Sequence, residues 1–270
     1  MMIFIRNVHF RSMVLWLVVV FCLQACDGEK LTAEESFNRA ASGLAGVDNL
    51  VFKGSAVIRS DGNGMNEELV AYEGQLQDHK MLTITTTSPS STRITGKISL
   101  EGKSQQLVSY KARELPHAYG QSEAEWLNPL EQLEFVGESD KKVTEESGAA
   151  RGTKALRIEL SSEASQELTK RALTGQMLTL RSRMDRKGDV LYTEDPKVRA
   201  KLQNVWEKEN QELSRLLSKS NVKMVFHMTI NQKSYLPQRL SVERTITLVD
   251  TSGKPRVETF VSDTKFLEYR

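Results

Sequence analysis

The chain has 270 residues, of which 39% are hydrophobic and 27% charged, and its 37 basic and 35 acidic residues leave a net charge of +2. Lys and Glu are interspersed along it, whereas a nucleic-acid binder normally concentrates basic charge on one face, so nucleic acid is not an expected partner. The two cysteines, Cys22 and Cys26, have neither the spacing of a redox pair nor the neighbouring ligands of a zinc site.

The N-terminal segment has the pattern of a secretory signal. Residues 1–12 carry Arg6 and Arg11 and no acidic residue, and residues 13–23 are almost entirely apolar. An apolar run of about 11 residues is short for a membrane-spanning helix, which needs ~20 residues. We therefore predict a signal peptide over 1–25 that is removed, which leaves a formally neutral mature chain.

The end of this segment, Leu23-Gln24-Ala25-Cys26, resembles the lipobox of bacterial lipoproteins. The resemblance implies that a fatty-acyl lipid such as palmitate is attached to the Cys26 sulfur and that the chain is cut before it. Residues 26–30 would then be a short tether, and the protein would be anchored on the extracytoplasmic face of the cell membrane. The alternative is that the tetrapeptide is a chance match in an ordinary cleaved signal.

The first part of the mature chain predicts one helix followed by a meander of strands. Thr32 and Glu35 form a capping box, and apolar residues then recur at helical spacing until a stop near 46–49. Segments rich in β-branched and aromatic residues follow and are separated by turn signals, which predicts antiparallel hairpins. These predicted strands cover 49–60, 67–77, 80–88, 91–102 and 104–112.

The middle of the chain predicts helices around one hairpin. A second capping box at Ser122 opens a predicted helix that continues past Pro129, and 141–160 reads as a hairpin. We predict a helix over 162–173, an irregular stretch over 176–194, and a long helix over 196–219 that is capped by Asp195. The apolar stripes of these helices favour packing as lids on a sheet over binding to a partner helix.

The last fifty residues show the clearest alternation. Met224, Phe226 and Met228 share parity in the predicted strand 222–230, as do Leu240 and Val242 in the predicted strand 240–248, and a final strand follows over 257–269. Lys223, His227 and Thr229 lie at intervening positions of the first strand, and polar residues occupy the intervening positions of the second. This pattern is typical of an antiparallel sheet with one wet face.

The order of these elements, together with the segment "MTINQKSYLPQRLSVE", resembles the LolA/LolB-like lipoprotein carriers. The resemblance implies an α+β fold: an antiparallel β half-barrel, or incomplete barrel, closed by helices around an apolar cavity, in a single domain over 31–270. The helix at 196–219 and the stretch at 176–194 exceed the simplest carriers.

Catalysis is not expected. His79, His117 and His227 lack metal-ligand spacing, and the sequence contains no nucleophile elbow and no Gly-rich phosphate loop, so we predict no catalytic residue, metal or cofactor.

Two function classes remain open. In the first, a membrane-anchored lipoprotein binds a lipid or another apolar ligand in the cavity, and the lining residues are Met224, Phe226, Met228, Leu240 and Val242. In the second, those residues only pack on the lid helices, and the protein is an envelope sensor or assembly factor that acts through a protein partner without a ligand. A substrate-binding lipoprotein of a transporter is a weaker third hypothesis, since alternating βα units are missing.

Overall fold

Ten antiparallel strands and four helices make up the part of the chain that the computed structural model describes. The described residues are 31–60, 68–87, 94–99, 106–112, 127–189, 191–249 and 253–270. The predicted signal peptide, Cys26, the tether at 26–30 and the capping box at Ser122 lie outside them. Residues Ala33–Arg270 form one unit.

The helices are numbered here α1 to α4 and the strands β1 to β10 in chain order. The helices are α1 (Ala33–Ala45), α2 (Pro129–Glu138), α3 (Ser162–Asp185) and α4 (Pro196–Ser218). The strands are β1 (Leu50–Ser60), β2 (Glu68–Gln77), β3 (Met81–Thr87), β4 (Ile94–Ser99), β5 (Gln106–Ala112), β6 (Lys141–Glu146), β7 (Thr153–Leu160), β8 (Asn221–Asn231), β9 (Pro237–Val249) and β10 (Pro255–Tyr269).

All the strands lie in one sheet with the order β5-β4-β3-β2-β1-β10-β9-β8-β7-β6. The first five strands and the last five each form a meander, and β1 and β10 join the two in antiparallel register from Leu50↔Tyr269 to Ser60↔Glu258. Among the described strands, β5 and β6 each have a neighbour on one side only, so the sheet does not close on itself. The predicted α+β class with an incompletely closed antiparallel barrel is therefore confirmed.

One face of the sheet forms the core, because alternate side chains of each strand point to the same side. In register, Leu156, Met228 and Leu240 are neighbours on β7, β8 and β9, and all three are buried. The strand limits predicted at 49–60, 67–77 and 80–88 agree with β1, β2 and β3 to within one residue. The alternation predicted for 222–230 is confirmed, although Val225 on the opposite face is also buried.

Two glycines let aromatic rings lie flat against the core face of β1 and β2. Gly74 pairs with Phe52 across the strands, and Gly54 pairs with Tyr72. A Cβ atom added at Gly74 would overlap the Phe52 ring, and one added at Gly54 would overlap the Tyr72 ring. Each glycine therefore supplies the room for the ring opposite, a role that explains a glycine inside a strand.

The helices differ from the predicted ones in two places. Helix α3 continues to Asp185, twelve residues beyond the predicted end at 173, so most of the stretch predicted as irregular is helical. The second half of α3 packs beside α4. Its apolar residues therefore do not recur with the spacing that is typical of a helix covering a sheet. Helix α2 begins at Pro129, where the Asn128 side chain accepts a hydrogen bond from the Leu130 N–H; Leu127 and Asn128 directly before it are not helical, and the predicted start at Ser122 lies outside the described residues.

The junction of α3 and α4 is held by polar contacts. The Arg183 Nε atom donates to Asp189 Oδ2 at 3.1 Å and Nη2 donates to Oδ1 at 3.2 Å, and both side chains are largely buried. Asp195 accepts hydrogen bonds from the Lys197 and Val198 N–H groups, which confirms its predicted role as the N-cap of α4. These contacts fix where α3 ends and where α4 begins.

Candidate functional site

The five predicted lining residues lie together on the core face of β8 and β9. Phe226 pairs with Val242 and Met228 pairs with Leu240, and Met224 lies two residues before Phe226 on the same face. All five are at most 2% exposed. The sequence therefore identified a continuous apolar surface, and in this structure that surface is covered.

Part of the cover is the first half of α3, which contacts β7 and β8. Ser165, Leu168 and Thr169 are the buried residues of this half. The Thr169 hydroxyl lies 3.9 Å from the Met224 sulfur, which is a weak hydrogen bond. Ser165 lies one turn earlier on the same side of the helix, and its Oγ has no hydrogen-bond partner among the described residues.

This covering helix thus places two hydroxyl groups where aliphatic groups would seal an apolar surface better. A buried hydroxyl without a partner costs about 1–3 kcal/mol. The contact between α3 and the sheet is consequently weaker than the burial of its residues alone suggests. The Gln166 side chain, which donates to the Leu217 carbonyl at 3.0 Å, ties this part of α3 to the end of α4.

Sequence reasoning missed Arg244, which lies on the same core face. It pairs with Met224 on β8 and with Phe260 on β10, is 4% exposed, and lies over the Phe260 ring at 5.2 Å. Burial lowers the pKa of Arg244 to about 10, and the Glu258 carboxylate at 3.6 Å opposes that shift. The signal was present in the sequence, since position 244 has the same parity as Leu240 and Val242.

In addition to Arg244, a group of hydroxyl-bearing side chains forms a polar region of the core face, on β2, β3 and β10. The Tyr72 hydroxyl lies 2.6 Å from Thr264 Oγ1, and Thr86 and Ser262 are buried beside them in the register. Burial raises the pKa of Tyr72 to about 12, so this phenol stays protonated at neutral pH. The core face is therefore mostly apolar and contains a cluster of buried hydroxyl groups on β2, β3 and β10.

Two surface cavities open on the opposite, polar face of the sheet. One of about 370 Å³ is lined by Lys53, Glu73 and Asp263 among others, and one of about 990 Å³ is lined by Arg157, Arg239 and neighbours in the β6–β7 hairpin. Neither is lined by a predicted lining residue. Charged walls of this kind do not suit an acyl chain, because burying a charge against an apolar ligand is costly.

The histidines of the described part occupy separate places. His227 Nδ1 lies 3.0 Å from Glu146 Oε2 on the polar face, and His79 Nδ1 lies 3.2 Å from the Val47 carbonyl oxygen. His117 lies outside the described residues. Within the described part of the chain, no group of three or more His, Cys, Asp or Glu residues is arranged to hold a metal ion.

As for the membrane, none of the helices with a described placement combines the length and the apolarity needed to cross a bilayer.

No protein-family model matches the chain, and no curated protein matches it. Among solved structures, it is similar to a LolA superfamily protein from Nitrosomonas europaea, with 11% identity, a TM-score of 0.25, and coverage of 88% of this chain and 94% of that one. It is also similar to a putative outer membrane lipoprotein-sorting protein domain from Vibrio parahaemolyticus, with 9% identity, a TM-score of 0.28, and coverage of 88% and 93%.

A third similar structure is lipovitellin, with 7% identity and a TM-score of 0.34, where the match covers 82% of this chain and 25% of that chain. LolA-like proteins are thus among the similar structures, as the sequence resemblance predicted.

Proposed function

We propose that the protein is an extracytoplasmic lipoprotein, anchored to the cell membrane through Cys26, that binds an acyl chain or another apolar ligand between its sheet and α3. The observation that carries the proposal is the continuous apolar face of β8 and β9 beneath a helix whose sealing residues include Ser165 and Thr169. A cover with poorly satisfied polar groups opens at a lower free-energy cost than an aliphatic one. The proposal includes no catalytic step.

In this scheme the ligand takes the place of the first half of α3 on the apolar face. Met224 and Met228 would line the bound chain, because thioether side chains adapt to irregular apolar shapes. Arg244 lies beside Met224 on this face, where its positive charge would favour a ligand with an acidic head group. Opening exposes the Ser165 hydroxyl to water, which recovers part of its desolvation cost.

The test of ligand binding is a fluorescent fatty-acid titration of the mature chain with Cys26 replaced by serine. Met228→Arg should abolish saturable binding, because a charged side chain would lie on the apolar face. Thr229→Arg is the matched control, since it places the same charge one residue away on the polar face of β8. Native mass spectrometry of the detergent-free protein should show a co-purified lipid. Equal binding by both variants would refute the site.

The anchor is tested separately from the ligand. Cys26→Ser in the full chain should release the protein from membranes and abolish metabolic labelling with a fatty acid, since the sulfur is the proposed attachment point. Labelling that persists in the serine variant would refute the lipoprotein proposal, and it would leave the ligand proposal standing.

A second candidate function is an envelope sensor or assembly factor with a solid core, which acts through a protein partner. The exposure of at most 2% at all five lining residues favours it. In that case Phe226→Ala should lower the free energy of unfolding by about 3–5 kcal/mol, the usual loss for a buried Phe. No fatty-acid binding by the unmodified mature chain, together with that loss, would support this second function over the first.

A further inference from the structure

The helical hairpin of α3 and α4 exposes apolar side chains on its surface. Of the 23 described residues of α4, Leu217 alone is buried. Val198, Leu202 and Val205 are 43%, 36% and 59% exposed, and their spacing of four and three residues places them along one stripe of the helix. The stripe lies in the half of α4 that is farther from Leu217.

Helix α3 also carries an exposed apolar side chain next to its contact with α4. The Trp206 Nε1–H donates to the Met177 carbonyl at 2.7 Å, and the Arg181 guanidinium lies over the Trp206 ring at 5.4 Å. Leu178, which directly follows Met177, is 58% exposed, and Val205 directly precedes Trp206. The two exposed side chains therefore flank a fixed contact between the helices. We call Leu178, Val198, Leu202 and Val205 together the apolar stripe.

Positive charge borders the apolar stripe. Residues 196–206 of α4 contain Lys197, Arg199 and Lys201 and no acidic residue, whereas the acidic residues of the helix follow in its second half. Lys197 and Lys201 each precede a member of the stripe by one position, and both are exposed. The Arg199 Nη2 atom donates a hydrogen bond to the Thr193 carbonyl oxygen at 2.7 Å.

We propose that the apolar stripe docks on the surface of an anionic lipid bilayer, with α4 lying along the membrane plane. A helix with exposed aliphatic residues on one side and lysines beside them suits the boundary between lipid head groups and acyl chains. The long stems of Lys197 and Lys201 let their ammonium groups reach lipid phosphates while the aliphatic side chains enter the bilayer. This contact is independent of an acyl anchor and of a ligand in the core.

The test is vesicle flotation of the mature chain with Cys26 replaced by serine, which removes the anchor. The protein should float with vesicles of phosphatidylcholine mixed with phosphatidylglycerol and remain unbound with phosphatidylcholine alone. A Lys197→Gln, Lys201→Gln double variant should bind roughly 25-fold more weakly, because each lysine near an anionic surface contributes about fivefold. A Val198→Ser, Val205→Ser variant should also lose binding.

The controls make the same chemical changes elsewhere. Lys142→Gln with Lys233→Gln, and Val249→Ser, alter exposed residues outside the hairpin and should leave flotation unchanged. Circular dichroism melts check that each variant is folded. Equal flotation of hairpin and control variants would overturn the proposal, as would failure of the parent chain to float. A dimer that the Val198→Ser, Val205→Ser variant dissociates would assign the stripe to a second copy and would likewise overturn it.

Discussion

Replacing Ser165 with alanine should stabilise the protein. The Ser165 Oγ is fully buried between α3 and the sheet and has no hydrogen-bond partner among the described residues. Its removal should recover about 1–3 kcal/mol of desolvation cost, and alanine adds about 0.5 kcal/mol through its higher helix propensity. The lost oxygen leaves only a small void, so the net gain should be about 2 kcal/mol.

The assay is thermal and urea unfolding of the mature chain. For a chain of this size, a gain of about 2 kcal/mol should raise Tm by roughly 4–8 °C. Ser214→Ala is the matched control, because Ser214 is an exposed helical serine of α4 whose hydroxyl donates to the Asn210 carbonyl. That variant isolates the effect of helix propensity from the effect of burial.

The same variant tests the opening of α3. If ligand binding requires this helix to leave the apolar face, a more stable closed form lowers the population of the open form and weakens fatty-acid binding by up to about 30-fold. A Tm for Ser165→Ala that is no higher than that of the control would show that the hydroxyl is satisfied. That result would refute the reasoning about a weakly sealed cover.

Three further changes test the packing. Gly74→Ala should destabilise the protein by about 1–3 kcal/mol because the new methyl group overlaps the Phe52 ring, whereas Gly137→Ala in α2 has open space and should be neutral or stabilising. Since burial raises the pKa of Tyr72 from 10.0 to about 12, the unfolded chain ionises first, and roughly 2–3 kcal/mol of stability should be lost as pH rises from 10 to 12. Tyr72→Phe should flatten that part of a urea-unfolding pH profile. Asp189→Asn should cost about 3–5 kcal/mol in the same assay, because the buried guanidinium beside it loses its carboxylate; a loss below 1 kcal/mol would contradict this.

The sequence predicted the strands better than the helices for a physical reason. A strand that buries one face must alternate, so parity alone placed Phe226 and Val242 on the core face of β8 and β9. The second half of α3 packs on another helix and carries no such stripe, which is why its end was placed at 173 and not at Asp185. The end of α3 also depends on the ion pair between Arg183 and Asp189, which matches no helix-capping pattern.

The site was predictable only in part. The alternation of side chains along β8 and β9 predicted the apolar face. Which residues of α3 lie against that face depends on how the helix is rotated on the sheet. The two hydroxyl groups of Ser165 and Thr169 therefore could not be assigned to that contact from spacing alone. The position of Arg244 on the core face was predictable, since residue 244 has the same parity as Leu240 and Val242. It was missed because a charged residue interrupts an otherwise apolar pattern.

The pairing of β1 with β10 has a consequence for the order of folding. The partners Leu50 and Tyr269 are more than two hundred residues apart. Pairing β1 with β10 therefore has one of the largest entropic costs of loop closure in the chain. Each meander can form without the other, but the two can join only after β10 has been synthesised. Until then the pairing edges of both halves stay open to other chains. A chain with this topology is therefore most exposed to aggregation just before its C-terminal strand is in place, and truncation of β10 would leave two unjoined meanders.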